Sequence, residues 1–233
     1  MLTTICLDAD DTLWHNERLF QFTQERFAKL LSGYAAGDHL ADRLRDAERR
    51  NIERYGYGIK GFTLSMIETA LQVTENRVPG NVIAELIACG QEMLRHPIEL
   101  LNGVEETVQT LAAEFTLLLI TKGDLLDQER KLAQSGLGEL FDGVEIVSEK
   151  TTEVYADIFA GRGIDPRHAL MAGNSIKSDV IPVIAAGGWG VHVPYCPSWD
   201  LEAADAPMQH MRFREVTALS DLPRVIKEIC GNM

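Results

Sequence analysis

Three acids crowd the end of the first apolar run of this chain: Asp8, Asp10 and Asp11 follow Ile5-Cys6-Leu7. Like charges this close repel unless something positive stands among them, so a metal ion or a lysine is expected nearby. Three later stretches carry polar groups in the same kind of place, just after an apolar run. They are Thr121-Lys122-Gly123-Asp124, Ser148-Glu149-Lys150, and Gly173-Asn174-Ser175 with Ser178-Asp179 beyond. Brought to one edge, these residues supply a nucleophile, hydroxyl and backbone donors, one or two cations and hard oxygen ligands. Oxygen ligands of this kind suit Mg2+. The chemistry that fits is phosphoryl transfer, which needs an in-line nucleophile and neutralisation of charge around the phosphoryl oxygens.

A parallel sheet is the scaffold that collects strand ends at one edge. Residues 3–7 are β-branched and apolar and read as a buried strand. Residues 16–97 carry helical periodicity and no convincing strand. In a first helix, Phe20, Thr23, Phe27, Leu30 and Leu31 share one face. Further helices are expected over 38–54, 63–73 and 81–95. Gly56, Gly58 and Pro79-Gly80 punctuate them, and Pro97 closes the block. Beyond Pro97 strand and helix signals alternate. Helices are expected over 104–114 (capped by Asn102), 124–135, 152–161, from Ser178 as cap to about 186, and 219–229. Strands are expected over 115–121, 144–147, 169–172 and 191–193. The alternation predicts an α/β fold: a Rossmann-like parallel sheet with helices on both faces, plus an inserted all-α cap domain. The core is assigned to 1–15 and 98–233, the cap to 16–97. Trp14 is expected to pack under the cap, and Asp11 to be a structural bystander at the turn.

Composition narrows the partners. Of the 233 residues 45% are hydrophobic, enough for a substantial core. The net charge of −13 argues against nucleic acid or an anionic membrane, both of which call for a basic patch. It leaves room for a small anionic substrate at a local positive site. Cys6, Cys89, Cys196 and Cys230 form no CxxC pair, and the six histidines show no ligand spacing. Reduced thiols in a cytoplasmic protein are expected, without a disulfide frame or a zinc site. The acids at 8, 10 and 11 interrupt the apolar N-terminal run, so no signal peptide is expected. No run approaches the roughly 20 apolar residues of a membrane span.

The order Asp8-x-Asp10-x-Thr12, a strand ending in Thr121, then Lys150, then Gly173-Asn174-Ser175 with Ser178-Asp179 resembles the haloacid dehalogenase superfamily of hydrolases, mostly Mg2+-dependent phosphatases. The likeness runs through residues 3–13 and about 101–194, and residues 16–97 look like the α-helical cap of one branch of that family. By this resemblance Asp8 is the nucleophile that forms an aspartyl-phosphate. Asp10 is the acid that protonates the leaving alkoxide and then the base that activates water, and its backbone carbonyl ligates Mg2+. Thr121 holds a phosphoryl oxygen with the amide of Lys122 or Gly123. Lys150 neutralises Asp8 and the phosphoryl group, with Lys122 as the alternative. Asp8, Asp10, Asn174 and Asp179 form the metal set, with Asn174 or Asp179 as the direct ligand.

The implied activity is hydrolysis of a small phosphorylated metabolite by a monomer or homodimer. The alternatives are a phosphomutase, a 2-haloacid dehalogenase, or an idle member that binds a ligand. Asp10 disfavours the dehalogenase, because expelling halide needs no acid. Two positions depart from the family pattern: Asn174 stands where an acid is usual, and Thr151 where many relatives have proline. Arg49, Arg50, Arg54 and Lys60 are read as a solvated face followed by a loop, the alternative being a grip on an anionic leaving group.

Overall fold

A computed structural model describes residues 1–197 and 199–231. Its sheet has six parallel strands: β1 (Thr4–Leu7), β2 (Thr116–Lys122), β3 (Gly143–Val147), β4 (Ala169–Gly173), β5 (Trp189–His192) and β6 (Phe213–Glu215). Their order is β3-β2-β1-β4-β5-β6. The chain order reverses at β1, and in an open α/β sheet such a switch point is where ligands bind, outside the carboxyl ends of the strands. Register fixes who arrives there. Leu7 pairs with Leu119 and Ala172, and the next amide, that of Asp8, donates to the Ala172 carbonyl at 3.0 Å.

Alternation along β2 separates two apolar layers. Leu117 and Leu119 join Ile5, Leu7, Val104, Val108 and Leu222 on one side. Leu118 and Ile120 join Cys6, Tyr155, Phe159 and Met171 on the other. Helices α5 (Val104–Ala112) and α9 (Leu222–Gly231) contribute to the first layer and α7 (Thr152–Gly161) to the second. Strands covered on both faces read as near-continuous apolar runs, which is why β1 and β2 show no polar alternation.

The described chain separates into two compact units. One comprises Met1–Glu17, Ile98–Lys122 and Gln128–Met233 and holds the sheet. The other comprises Arg18–Pro97 and Gly123–Asp127. Its helices are α1 (Glu17–Leu31), α2 (Gly37–Tyr55), α3 (Ile59–Val73) and α4 (Gly80–Arg95). Their inward stripes build a core from Phe27, Leu31, Leu40, Leu44, Phe62, Met66, Leu86 and Met93. Residues 123–127 share this unit, and there Lys60 Nζ meets both carboxylate oxygens of Asp124 at 3.0 and 2.9 Å. Arg50 pairs with Glu68 at 2.8 Å and Arg49 lies 3.8 Å from Asp46, ion pairs of a solvated face.

Glu48 breaks the pattern of α2, because its side chain is buried. Burial pushes its carboxyl up to about 7, with Arg45 opposing. In the unfolded chain the carboxyl keeps its ordinary value near 4.5. The native state therefore binds the extra proton between these two values, and stability falls as pH rises through that window. Glu48→Gln is expected to raise Tm by about 2–4 °C at pH 8, equivalent to about 1 kcal/mol in a chain of this size. The gain should vanish near pH 4. Thermal melts of both proteins across that range are the check, and a pH-independent difference would exclude the charge as its cause.

Several local expectations give way. The N-cap of α5 is Gly103, left-handed at φ 74°, and not Asn102. Ser175, not Ser178, caps the segment after β4: its Oγ accepts the Ser178 amide at 3.0 Å. A π-helical turn, Ile176–Val180, follows and runs into α8 (Ile181–Ala185). The short strand β6 was unforeseen, since Phe213-Arg214-Glu215 is too brief to show a period. Among the described residues no helix is long and apolar enough to cross a membrane.

Candidate active site

Asp8 leaves the end of β1 into a buried cluster. Its Oδ1 accepts from Lys150 Nζ at 2.5 Å, and its Oδ2 from Thr12 Oγ1 at 2.9 Å. Lys150, placed beyond the end of β3, also donates to Asp179 Oδ1 at 2.7 Å. The other oxygen of Asp179 accepts the Ser175 amide at 2.9 Å. Lys150 and Asp179 are 3% and 1% exposed, so neither relies on water for its partners. The packing demands glycine at 173: a Cβ there would stand 2.2 Å from Asp179 Oδ2 and 2.8 Å from Asp8 Cβ.

Two carboxylates thus share one ammonium. Burial alone would lower the Lys150 ammonium, but Asp179 and Asp8 outweigh it and hold it above the ordinary lysine value. Asp8 bears the imbalance. Burial pushes its carboxyl up to about 7 against the pull of Lys150, and Asp179 and Asp10 add to the rise.

Thr12 links Asp8 to the end of β4. Its hydroxyl accepts the Asn174 amide at 3.1 Å and lies 3.5 Å from Asn174 Oδ1. Thr121 is buried at the end of β2, with Oγ1 3.5 Å from the Lys122 carbonyl. Gly123 follows at φ 141°, a conformation that glycine adopts readily.

Lys122 is directed elsewhere than Asp8. Its Nζ meets Glu202 at 2.7 Å, Ser178 Oγ at 2.9 Å and Glu149 at 3.2 Å. The lysine bonded to Asp8 is therefore Lys150, and Lys122 is not placed on it. Glu202, from the loop after β5, also accepts from Ser175 Oγ at 2.6 Å and Ser178 Oγ at 2.5 Å.

Asp10 has its own set of donors. Lys131 Nζ reaches both its oxygens, at 2.9 and 3.0 Å. Gln128 Nε2 donates to Oδ2 at 2.8 Å, and Trp14 Nε1 to Oδ1 at 2.7 Å. Gln128 and Lys131 lie three residues apart on α6 (Leu125–Ser135), hence on one face. Trp14 is fully buried in the apolar layer beside β1, with its ring N–H turned to Asp10. Asp11 serves the turn itself. From a left-handed conformation at φ 61° its carboxylate accepts the amides of Asn16 and Glu17, where α1 begins.

The charges of this edge can be summed. Asp8, Asp10, Asp179, Glu149 and Glu202 face Lys122, Lys131 and Lys150, an excess of two negative charges when all are ionised. That excess matches one dication. Among the described residues no three His, Cys, Asp or Glu side chains are grouped to hold a metal by themselves. A hard cation here would draw on Asp8, a backbone carbonyl and the Asn174 amide oxygen, completed by water or substrate, which is how Mg2+ is commonly held.

A family model described as haloacid dehalogenase-like hydrolase matches residues 2–187. The chain belongs to this family. A haloacid dehalogenase-like family hydrolase from Xanthomonas campestris is 39% identical across 99% of this chain and 93% of that one, with a TM-score of 0.89. A HAD-hydrolase from Bacillus subtilis bound to magnesium is 16% identical across 97% and 98%, with a TM-score of 0.65. The L-2-haloacid dehalogenase from Xanthobacter autotrophicus with chloropropionic acid covalently bound is 15% identical across 97% and 99%, with a TM-score of 0.63. At such identities the last two speak for the fold alone. No curated protein matches the chain significantly.

Within this haloacid dehalogenase-like hydrolase, Lys131, Gln128 and Glu202 are the residues of the edge that sequence reasoning missed. The first two sit mid-helix, where lysine and glutamine are ordinary helix formers. One signal was available: five consecutive polar residues, Asp127 to Lys131, span more than one helical turn, so some of them had to face inward. Glu202 had none, since it ends a three-residue 3-10 turn, Asp200–Glu202, too short to show a period.

Proposed function

We propose that this haloacid dehalogenase-like hydrolase is a cytoplasmic, Mg2+-dependent phosphatase of a small phosphorylated metabolite. The observation that carries the reading is the pairing of Asp8, bridged by Lys150, with a second acid at Asp10 held by donors of its own. An oxygen of Asp8 attacks phosphorus while the bond to the leaving oxygen breaks, giving an aspartyl-phosphate. Asp10 gives its proton to the departing alkoxide. In the second half Asp10 takes a proton from water, which attacks the same phosphorus and frees Asp8 and inorganic phosphate. Thr121 and the Lys122 amide hold phosphoryl oxygens, and Lys150 neutralises charge that grows on them. Asp8, the Asp10 carbonyl and Asn174 would hold the cation, which when bound would supply charge neutralisation. Asp179, with both oxygens already engaged, acts by fixing Lys150. The helices of 16–97 serve as the cap that carries specificity.

A screen of phosphorylated metabolites with and without Mg2+, with Asp8→Asn as control, tests this. Phosphate release that depends on both Mg2+ and Asp8 supports it. Metal-independent halide release from a 2-haloacid, or transfer of the phosphoryl group back to a sugar, would assign the chain to a dehalogenase or a mutase. Inertness toward every ester would leave an idle binding protein.

Asn174 offers a second measurement. An acid at this position would add a third uncompensated charge, so Asn174→Asp is expected to tighten Mg2+ binding several-fold. Calorimetric titration reports it directly; equal or weaker binding by the variant would remove Asn174 from the ligand set.

A further inference from the structure

We infer that Lys131, assisted by Gln128, is a positioning residue that fixes the Asp10 carboxylate for proton transfer. The inference rests on the phosphatase reading. Lys131 is only 5% exposed, and burial of an ammonium is costly unless it is paired and hydrogen-bonded. Here it spans both oxygens of Asp10 and donates to Asn16 Oδ1 at 2.9 Å. Gln128 adds direction. One amide nitrogen serves Asp10 Oδ2 at 2.8 Å and the Lys122 carbonyl at 2.9 Å. Both partners are acceptors, which fixes which end of the amide is nitrogen. Its oxygen Oε1 is then buried with no hydrogen-bond partner among the described residues.

The consequence is geometric. A carboxylate on a short side chain turns freely about its last bond unless donors on both oxygens restrain it. Lys131, Gln128 and Trp14 restrain Asp10 from three sides, so its position relative to Asp8 is set before substrate arrives. The contacts of Lys131 to Asp10 and Asn16 make it act through Asp10.

Two aryl esters of similar size separate this role from a structural one. Phenyl phosphate expels a weakly acidic phenol and needs a proton donor, whereas 2,4-dinitrophenyl phosphate expels a stable anion and does not. The ratio kcat/KM reports events up to the first irreversible step, departure of the leaving group. General acid catalysis contributes about 10²–10⁴ in rate, so loss of positioning is expected to cost part of that. In Mg2+, Lys131→Met is expected to lower kcat/KM for phenyl phosphate about 10–100-fold and for the dinitrophenyl ester less than about threefold. Lys131→Arg should restore much of the difference, and Gln128→Leu should show the same selectivity on a smaller scale. An equal loss on both esters, or no loss, overturns the inference when Asp10→Asn itself shows the selective pattern. If the native protein releases phosphate from neither ester, the phosphatase reading falls first.

Discussion

Asp8→Asn is expected to abolish turnover and, in Mg2+-free buffer at pH 8, to raise the melting temperature. The first effect follows from the proposed phosphatase chemistry: an amide cannot form the acyl-phosphate, and loss of a nucleophile costs on the order of 10³-fold or more. The second follows from charge. Asp8 and Asp179 share Lys150, and burial holds the Asp8 carboxyl up at about 7 against an ordinary 3.8. Folded and unfolded states therefore differ in protons between those values, and the native state holds more. Stability falls as pH rises through the window and stays lower above it. Asparagine has no such loss, and it leaves Lys150 paired one-to-one with Asp179. The advantage of the variant should be clear at pH 8 and nearly absent at pH 4. Calorimetric melts at both values, beside phosphate release at pH 8, check the two halves separately. A lower Tm at pH 8 would mean that Asp8 stabilises the fold as the partner of Lys150.

How much of this was legible beforehand depends on where each residue sits. Asp8, Thr121 and Asn174 each stand at or just past a strand, and a parallel sheet brings such positions to one edge whatever lies between them. Lys150 and Asp179 follow a few residues later, and the structure brings them within 2.7 Å of each other. An apolar run ended by a polar residue is a local signal, so this much could be read one segment at a time. Lys131 is different. Its meeting with Asp10 depends on how α6 lies against the β1 turn, and 121 residues separate the two. No local pattern encodes that packing. The exchange of Ser178 for Ser175 as cap has a similar origin: either serine could start a helix, and the π-helical turn that begins right after Ser175 takes in Ser178. Asn102 lost to Gly103 because that position is left-handed, a conformation glycine tolerates without cost from a Cβ.

Lys150→Met is expected to be the most damaging single change to stability at this edge. It removes the ammonium and leaves Asp8 and Asp179 facing each other, both nearly excluded from water. Removal of one partner from a buried pair costs about 3–5 kcal/mol, because the remaining charge has nothing to replace it. The sign of the pH dependence tells charge from packing. Lys150 opposes the rise of the Asp8 carboxyl, so without it that rise is larger and the penalty is greatest at pH 8. It should shrink toward pH 5 as protons take the place of the ammonium. Lys150→Met with Asp179→Asn removes one of the two stranded acids and should recover most of the stability at pH 8. It should recover none of the turnover, since nothing then neutralises the phosphoryl oxygens beside Asp8. Urea unfolding of the single and double variants at pH 5 and 8, in chelator, gives all four numbers. Equal losses at the two pH values, unrelieved by Asp179→Asn, would show that Lys150 supports the fold through its methylene stem. In that case the shared-ammonium account of Asp8 would have to be abandoned.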